Sequence, residues 1–157
     1  RPVLRKAGAL FIVNDYPDVA VAVGADGVHV GLDDLPVPAC RKVVGDDLIV
    51  GRSSHSLEEA LEGAAEPVDY IAVGPAFPTS TKPEYDVVGP QLVRRVRGRV
   101  RLPVFAIGGI NAQNLDEVLA TRPAGVVMAS DVLAAPDVAR HVKALIQRIH
   151  SVLGTAA

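Results

Sequence analysis

The feature that most constrains this chain is an alternation. Six short apolar runs recur along it, separated by longer stretches in which apolar residues return every three or four positions. The runs are Leu10–Val13, Gly27–Val30, Leu48–Gly51, Tyr70–Val73, Val104–Ile107 and Gly125–Met128. They are rich in Val and Ile and apolar on consecutive residues, the pattern of strands buried on both faces in a parallel sheet. The intervening segments read as helices. Pro36 opens one that runs through Ala39, Cys40, Val43 and Val44. Ser56 opens the next, with Glu59 placed for a capping box and Leu57, Ala60 and Leu61 on one face. Gln91–Val96 is a third, and Asn111 precedes a fourth that carries Leu115, Val118 and Leu119. Pro136 starts the last, through Val138, Val142, Leu145, Ile146 and Ile149. Strict strand–helix alternation specifies an α/β fold with a parallel sheet, either open and doubly wound or closed into a barrel.

Composition narrows the class. The chain has 157 residues, 49% of them hydrophobic, which is enough for one packed domain over residues 1–157. No apolar run is long enough for a membrane helix. The basic start leads into a run too short for a signal-peptide core. A net charge of −2 with 4% aromatics offers no basic field for nucleic acid. Cys40 is the only cysteine, which excludes an internal disulfide framework. A cytoplasmic location is expected. Residues 1–8 read as the tail of a preceding helix that stops at Gly8, and residues 154–157 as a frayed terminus.

In parallel α/β architectures function collects at the carboxyl ends of the strands. All six ends here are polar. Asn14 and Asp15 follow the first, Asp33 and Asp34 the second, and Arg52, Ser53, Ser54 and His55 the third. Thr79, Ser80, Thr81 and Lys82 lie in the loop after the fourth. Gly108, Gly109 and Asn111 follow the fifth, and Ala129, Ser130 and Asp131 the sixth. Carboxylates on neighbouring strand ends suit Mg²⁺, which takes one or two carboxylates with waters and phosphate oxygens; a turn or helix cap is the other role open to Asp15. The hydroxyls and ammonium of residues 79–82 suit phosphate, or form an ordinary solvated loop. Glycines 108 and 109 with residues 129 and 130 suit a backbone phosphate site, or two tight turns. His29 reads as a hydrogen-bonded core residue, and His55 as a cap or a functional group. His141 and His150 are expected in solvent, Cys40 in the core, and Arg94, Arg95, Arg97, Arg99 and Arg101 on a solvated surface.

Six segments, LFIVND, GADGVHVGLDDLP, GRSSHSLEEA, DYIAVGPAFPTSTK, PVFAIGGIN and AGVVMAS, together resemble the thiamine phosphate synthase family in order and spacing. The resemblance runs from residue 9 to about residue 145. It implies a TIM-type (β/α)8 barrel that joins 4-amino-2-methyl-5-hydroxymethylpyrimidine pyrophosphate to thiazole phosphate, giving thiamine phosphate and pyrophosphate. It implies Mg²⁺ on Asp15 and Asp34, pyrimidine-pyrophosphate contacts from Asn14, Ser53 and Lys82, and catalytic roles for Lys82 and Ser53. Thiazole phosphate contacts fall on Thr79, Ser80, Thr81, Gly109, Ala129 and Ser130. The partners are small phosphorylated molecules, with no nucleic acid or membrane, and a homo-oligomer is an open expectation because unpaired strand edges invite association.

Three departures qualify this. Leu32 stands where the family usually has Gln. Arg52 occurs also in the related thiazole tautomerase group, so a tautomerase-like isomerase is the first alternative. A barrel of this type takes roughly 200–250 residues, so the six units correspond to strands three to eight of the family. The family's earlier Gln-Leu-Arg-Glu-Lys-type motif has no match in this chain, which makes a truncated, non-catalytic phosphate-binding barrel the second alternative.

Overall fold

The computed structural model describes residues 2–82 and 85–154. A first short helix, α1 (Pro2–Lys6), closes on Gly8, which adopts φ 67°. The Ala9 N–H donates to Leu4 O at 2.9 Å and the Gly8 N–H to Arg5 O at 3.1 Å, so a left-handed glycine satisfies the last carbonyls. This agrees with the helix stop expected there, although Arg1 lies outside the described residues.

The six strands follow in sequence: β1 (Ile12–Asn14), β2 (Gly27–Val30), β3 (Ile49–Ser54), β4 (Tyr70–Val73), β5 (Val104–Ile107) and β6 (Gly125–Val127). All neighbours pair in parallel, and the order across the sheet is β1-β2-β3-β4-β5-β6. A doubly wound sheet reverses direction at a switch point between strands. This sheet never reverses, so the winding is that of a barrel, here a six-stranded arc.

Helices cover the outer face: α2 (Pro17–Val23), α3 (Val37–Val44), α4 (Leu57–Ala64), α5 (Pro90–Arg97), α6 (Leu115–Leu119), α7 (Ser130–Leu133) and α8 (Val138–Leu153). α2 and α7 have no counterpart among the expected helices. The alternating sequence Asp18-Val19-Ala20-Val21-Ala22-Val23 has a period of two, which disguises a helix. It is helical because Pro17 presets its first turn and Gly24, at φ 61°, ends it, while Pro17 and Ala20 dock inward. α4 starts as expected, with Ser56 Oγ accepting from the Glu59 N–H at 3.0 Å. The Glu59 carboxylate, however, accepts from the His55 N–H at 2.6 Å and so ties the end of β3 to its helix. α6 begins one turn later than expected because Asn111 and Asn114 form a polar turn ahead of it. α8 is capped by Asp137, which accepts from the Arg140 N–H at 3.0 Å. Gly154 is its C-cap; the fraying expected beyond it falls on 155–157, outside the described residues.

Strand alternation sorts the two faces. Val28, Val50, Ile71, Val73, Val104 and Ala106 are buried outward against Ala20, Cys40, Ala60, Val93, Val96 and Leu119. The inward face combines large rings with glycines. Gly51 is the register partner of Tyr70, and Gly125 of Phe105. A Cβ at Gly51 would fall inside the Tyr70 ring, and one at Gly125 would lie 2.7 Å from the Phe105 ring. Rings therefore fill the interior only because their neighbours have no side chain.

Candidate active site

A cavity of about 650 Å³ opens at the carboxyl ends of the strands. Its wall holds Asn14, Asp15, Ser53, Thr79, Ser80, Thr81, Lys82, Gly109, Ala129 and Ser130. Every candidate residue except Asp34 is thus on one surface, although the six strand ends are spread along the whole sequence. Asp34 stands behind the wall beside Asp15. Its carboxylate accepts from the Gly31 N–H at 2.6 Å, closing the loop after β2.

The electrostatics are those of a crowded anionic corner facing a cation. Burial raises the Asp15 carboxyl above the usual carboxylate range; the hydrogen bond with Asp34 and the Asp34 charge add to this, and Lys82 opposes it. Asp15 sits in the left-handed region at φ 70°, where its backbone N–H donates to His29 O at 2.8 Å. Two hard oxygen donors pressed together in this way fit a small divalent cation completed by waters and phosphate oxygens. Among the described residues no group of three or more His, Cys, Asp or Glu side chains is placed to hold a metal.

The opposite wall rests on backbone. Gly108 and Gly109 adopt φ 93° and 62°. A Cβ on Gly109 would lie 2.7 Å from Phe77 O, and one on Gly108 2.5 Å from Pro75 Cβ. The loop after β5 therefore packs directly on the loop after β4 and carries residues 79–82 to the cavity rim. Thr79 Oγ1 accepts from the Thr81 N–H at 3.2 Å, and Asn114 Nδ2 donates to Gly109 O at 2.9 Å.

A family model for thiamine monophosphate synthase matches residues 1–132. The chain belongs to the thiamine monophosphate synthase family. It is 44% identical to the thiamine-phosphate synthase of Pyrococcus horikoshii over 154 residues, covering 98% of this chain and 74% of the relative. It is 47% identical over 140 residues to the thiamine-phosphate synthase of Shouchella clausii, covering 88% of this chain and 67% of that protein. The solved thiamine phosphate pyrophosphorylase of Pyrococcus furiosus superposes with a TM-score of 0.91 at 40% identity, covering 98% of this chain and 73% of that one.

Several side chains of this thiamine monophosphate synthase family member stand elsewhere than the sequence suggests. His29 is hydrogen-bonded as expected, but it lines the cavity. Burial, reinforced by the Lys82 charge, holds its imidazole down at about 4 against an ordinary 6.5. His55 also lines the cavity: its Nδ1 lies 2.6 Å from Gly74 O, and its ring stacks on Tyr85 at 4.2 Å. Tyr85 in turn donates to Asp33 at 2.9 Å, linking the loops after β2 and β4. Tyr85 and Gln113 are further wall residues that the strand-end reading did not single out, and Asp131, which it named, lines the wall too. His141 is not free in solvent: its Nε2 meets the Asp131 carboxylate at 2.5 Å, because the first turns of α8 pack beside α7. His150 and the five arginines between 94 and 101 are exposed, and Cys40 is fully buried, as expected.

Arg52 points away from the cavity. It shares its register row with Ile71, on the outward face. It pairs with Glu66 at 2.6 Å, its stem packed over Gly63 of α4. Leu32 is likewise absent from the cavity wall.

Proposed function

We propose that this protein condenses 4-amino-2-methyl-5-hydroxymethylpyrimidine pyrophosphate with thiazole phosphate, releasing pyrophosphate and forming thiamine phosphate. The observation that carries this reading is the shared cavity: an acidic pair at one side, and a glycine-supported loop carrying hydroxyls and Lys82 at the other, in a space of about 650 Å³. Those are the requirements for holding two phosphorylated substrates with the reacting methylene carbon of one facing the ring nitrogen of the other.

In this reading Asn14, Ser53 and Lys82 hold the pyrimidine pyrophosphate. Asp15 and Asp34 would hold Mg²⁺, which when bound supplies charge neutralisation for the pyrophosphate. Lys82 places a compact cation where charge develops as the C–O bond to pyrophosphate breaks. The aminopyrimidine donates electron density to the resulting methylene cation, and the thiazole nitrogen captures it. Thr79, Ser80, Thr81, Gly109, Ala129 and Ser130 hold the thiazole phosphate so that the nitrogen faces that carbon. No protein nucleophile takes part.

Two further barrel units ahead of β1 complete the fold in this reading. The 98% coverage of this chain against 74% of the Pyrococcus horikoshii relative supports them, as do the half-exposed Val19, Val21 and Val23 of α2 beside the β1 edge. A cytoplasmic, homo-oligomeric biosynthetic enzyme is the corresponding cellular picture. Arg52, the residue that suggested a tautomerase, is engaged on the outside of the sheet and supports no such chemistry.

The test is incubation with both substrates and Mg²⁺, with thiamine phosphate and pyrophosphate followed together. Equimolar formation of the two, dependent on both substrates, is expected. Isomerisation of a thiazole carboxylate phosphate without coupling, or no thiamine phosphate, would refute the proposal.

A further inference from the structure

Three inward side chains from three consecutive strands form a hydrogen-bonded line that ends at the cavity. Tyr70 on β4 reaches over Gly51 of β3 to His29 on β2, with its hydroxyl 3.0 Å from His29 Nδ1. The other ring nitrogen, Nε2, lies 2.9 Å from Ser53 Oγ, back on β3 and on the cavity wall. The span is made possible by Gly51, since a Cβ there would collide with the Tyr70 ring. The phenol is held laterally by the edge of Phe105, ring centroids 5.2 Å apart at 72°.

We propose that Tyr70 and His29 are positioning residues: the Tyr70 hydroxyl donates to His29 Nδ1 and sets the Nε2–H tautomer, which donates to Ser53 Oγ and leaves the Ser53 O–H free to donate into the cavity. The direction follows from donor accounting. A neutral imidazole has one N–H and one lone pair. With the proton on Nδ1, the ring would donate to the phenol and the Tyr70 O–H would need a second acceptor. Among the described residues its hydrogen-bond partner is His29 alone. That arrangement would strand a strong donor in a half-buried setting. It would also make Ser53 donate to Nε2 and present only lone pairs to the cavity, the wrong polarity for a pyrophosphate group. The Nε2–H arrangement satisfies every group and presents a donor to the anion.

This deepens the synthase reading and rests on it for its catalytic consequence, but the tautomer itself does not. Nitrogen-15 NMR of the four histidines identifies His29 by its loss in His29→Gln. Expected is a protonated Nε2 and a bare Nδ1 in the wild type, with a shift toward mixed tautomers in Tyr70→Phe. A wild-type Nδ1–H signature overturns the proposal, whatever the protein catalyses. In the coupling assay, Tyr70→Phe lowers kcat about tenfold and moves either KM less than ~twofold. Ser53→Ala lowers kcat at least as much, and the double variant is no slower than Ser53→Ala. Reductions that multiply in the double variant, or an unchanged kcat in either single variant, overturn the relay. An Nε2–H tautomer in a protein that makes no thiamine phosphate supports the hydrogen-bond direction and refutes the synthase reading instead.

Discussion

His29 gives the protein a specific acid sensitivity. Its imidazole, held at about 4 mainly by burial, titrates at about 6.5 once exposed. The unfolded chain therefore binds a proton that the folded chain refuses. Above pH 6.5 neither state is protonated and the histidine costs nothing. As pH falls below 6.5 the unfolded state gains about 1.4 kcal/mol per pH unit, and the penalty levels off below about 4. The whole gap is worth about 3 kcal/mol, of which about 2.5 kcal/mol has accumulated by about pH 4.5. That is a large fraction of the ~5–15 kcal/mol that holds an ordinary domain together.

The measurement is urea unfolding of wild type and His29→Gln, with chelator present, from about pH 7.5 to about pH 4.5. Gln keeps a donor and an acceptor but does not titrate. Asp15, whose carboxyl is raised in the fold, acts in the opposite sense: its folded form takes up a proton first, so acidification favours the fold. Both proteins carry Asp15, and it cancels in the difference. The stability of wild type relative to the variant should drop by about 2.5 kcal/mol over this range. Parallel curves, or a relative gain on acidification, would refute the account of a neutral, desolvated imidazole.

Other substitutions test separate parts of the site. Lys82→Ala should lower kcat by about 100-fold or more while leaving the KM for thiazole phosphate within ~threefold, because the lost charge acts on the departing pyrophosphate; steady-state kinetics with both substrates decides this. Gly109→Ala places a Cβ against Phe77 O in a left-handed position. It should cost about 1–3 kcal/mol in denaturant melts and raise the KM for thiazole phosphate, and an unchanged melt would contradict the close loop contact. Asp15→Asn and Asp34→Asn should each weaken Mg²⁺ binding by calorimetry about tenfold or more, and equal affinity in either variant removes that residue from the metal site. Arg52→Met, which breaks only the outward pair with Glu66, should leave both KM values unchanged and alter stability by no more than about 1 kcal/mol.

The chain's local pattern determined its strands and the catalogue of polar strand ends. Runs such as Tyr70–Val73 and Val104–Ile107 are apolar on both sides wherever they are placed, and a parallel sheet is the structure that buries both sides. The residues that follow them are the cavity wall because winding in one direction brings every carboxyl end to the same rim. Periodicity could not choose between a doubly wound sheet and a barrel, since the two differ only in which strand lies beside which. It hid α2 behind a period of two, it put His141 in solvent, and it left Arg52 open, because their partners, Asp131 and Glu66, are 10 and 14 residues away. His29 shows the limit most clearly. Its place inside a strand was legible, but whether an inward strand position meets core or cavity depends on what stands across the sheet. Tyr70 reaches it only because Gly51, on the strand between, has no side chain, while Ser53 reaches it from that same strand. That coincidence of register and side-chain size is non-local, and only the tertiary structure decides it.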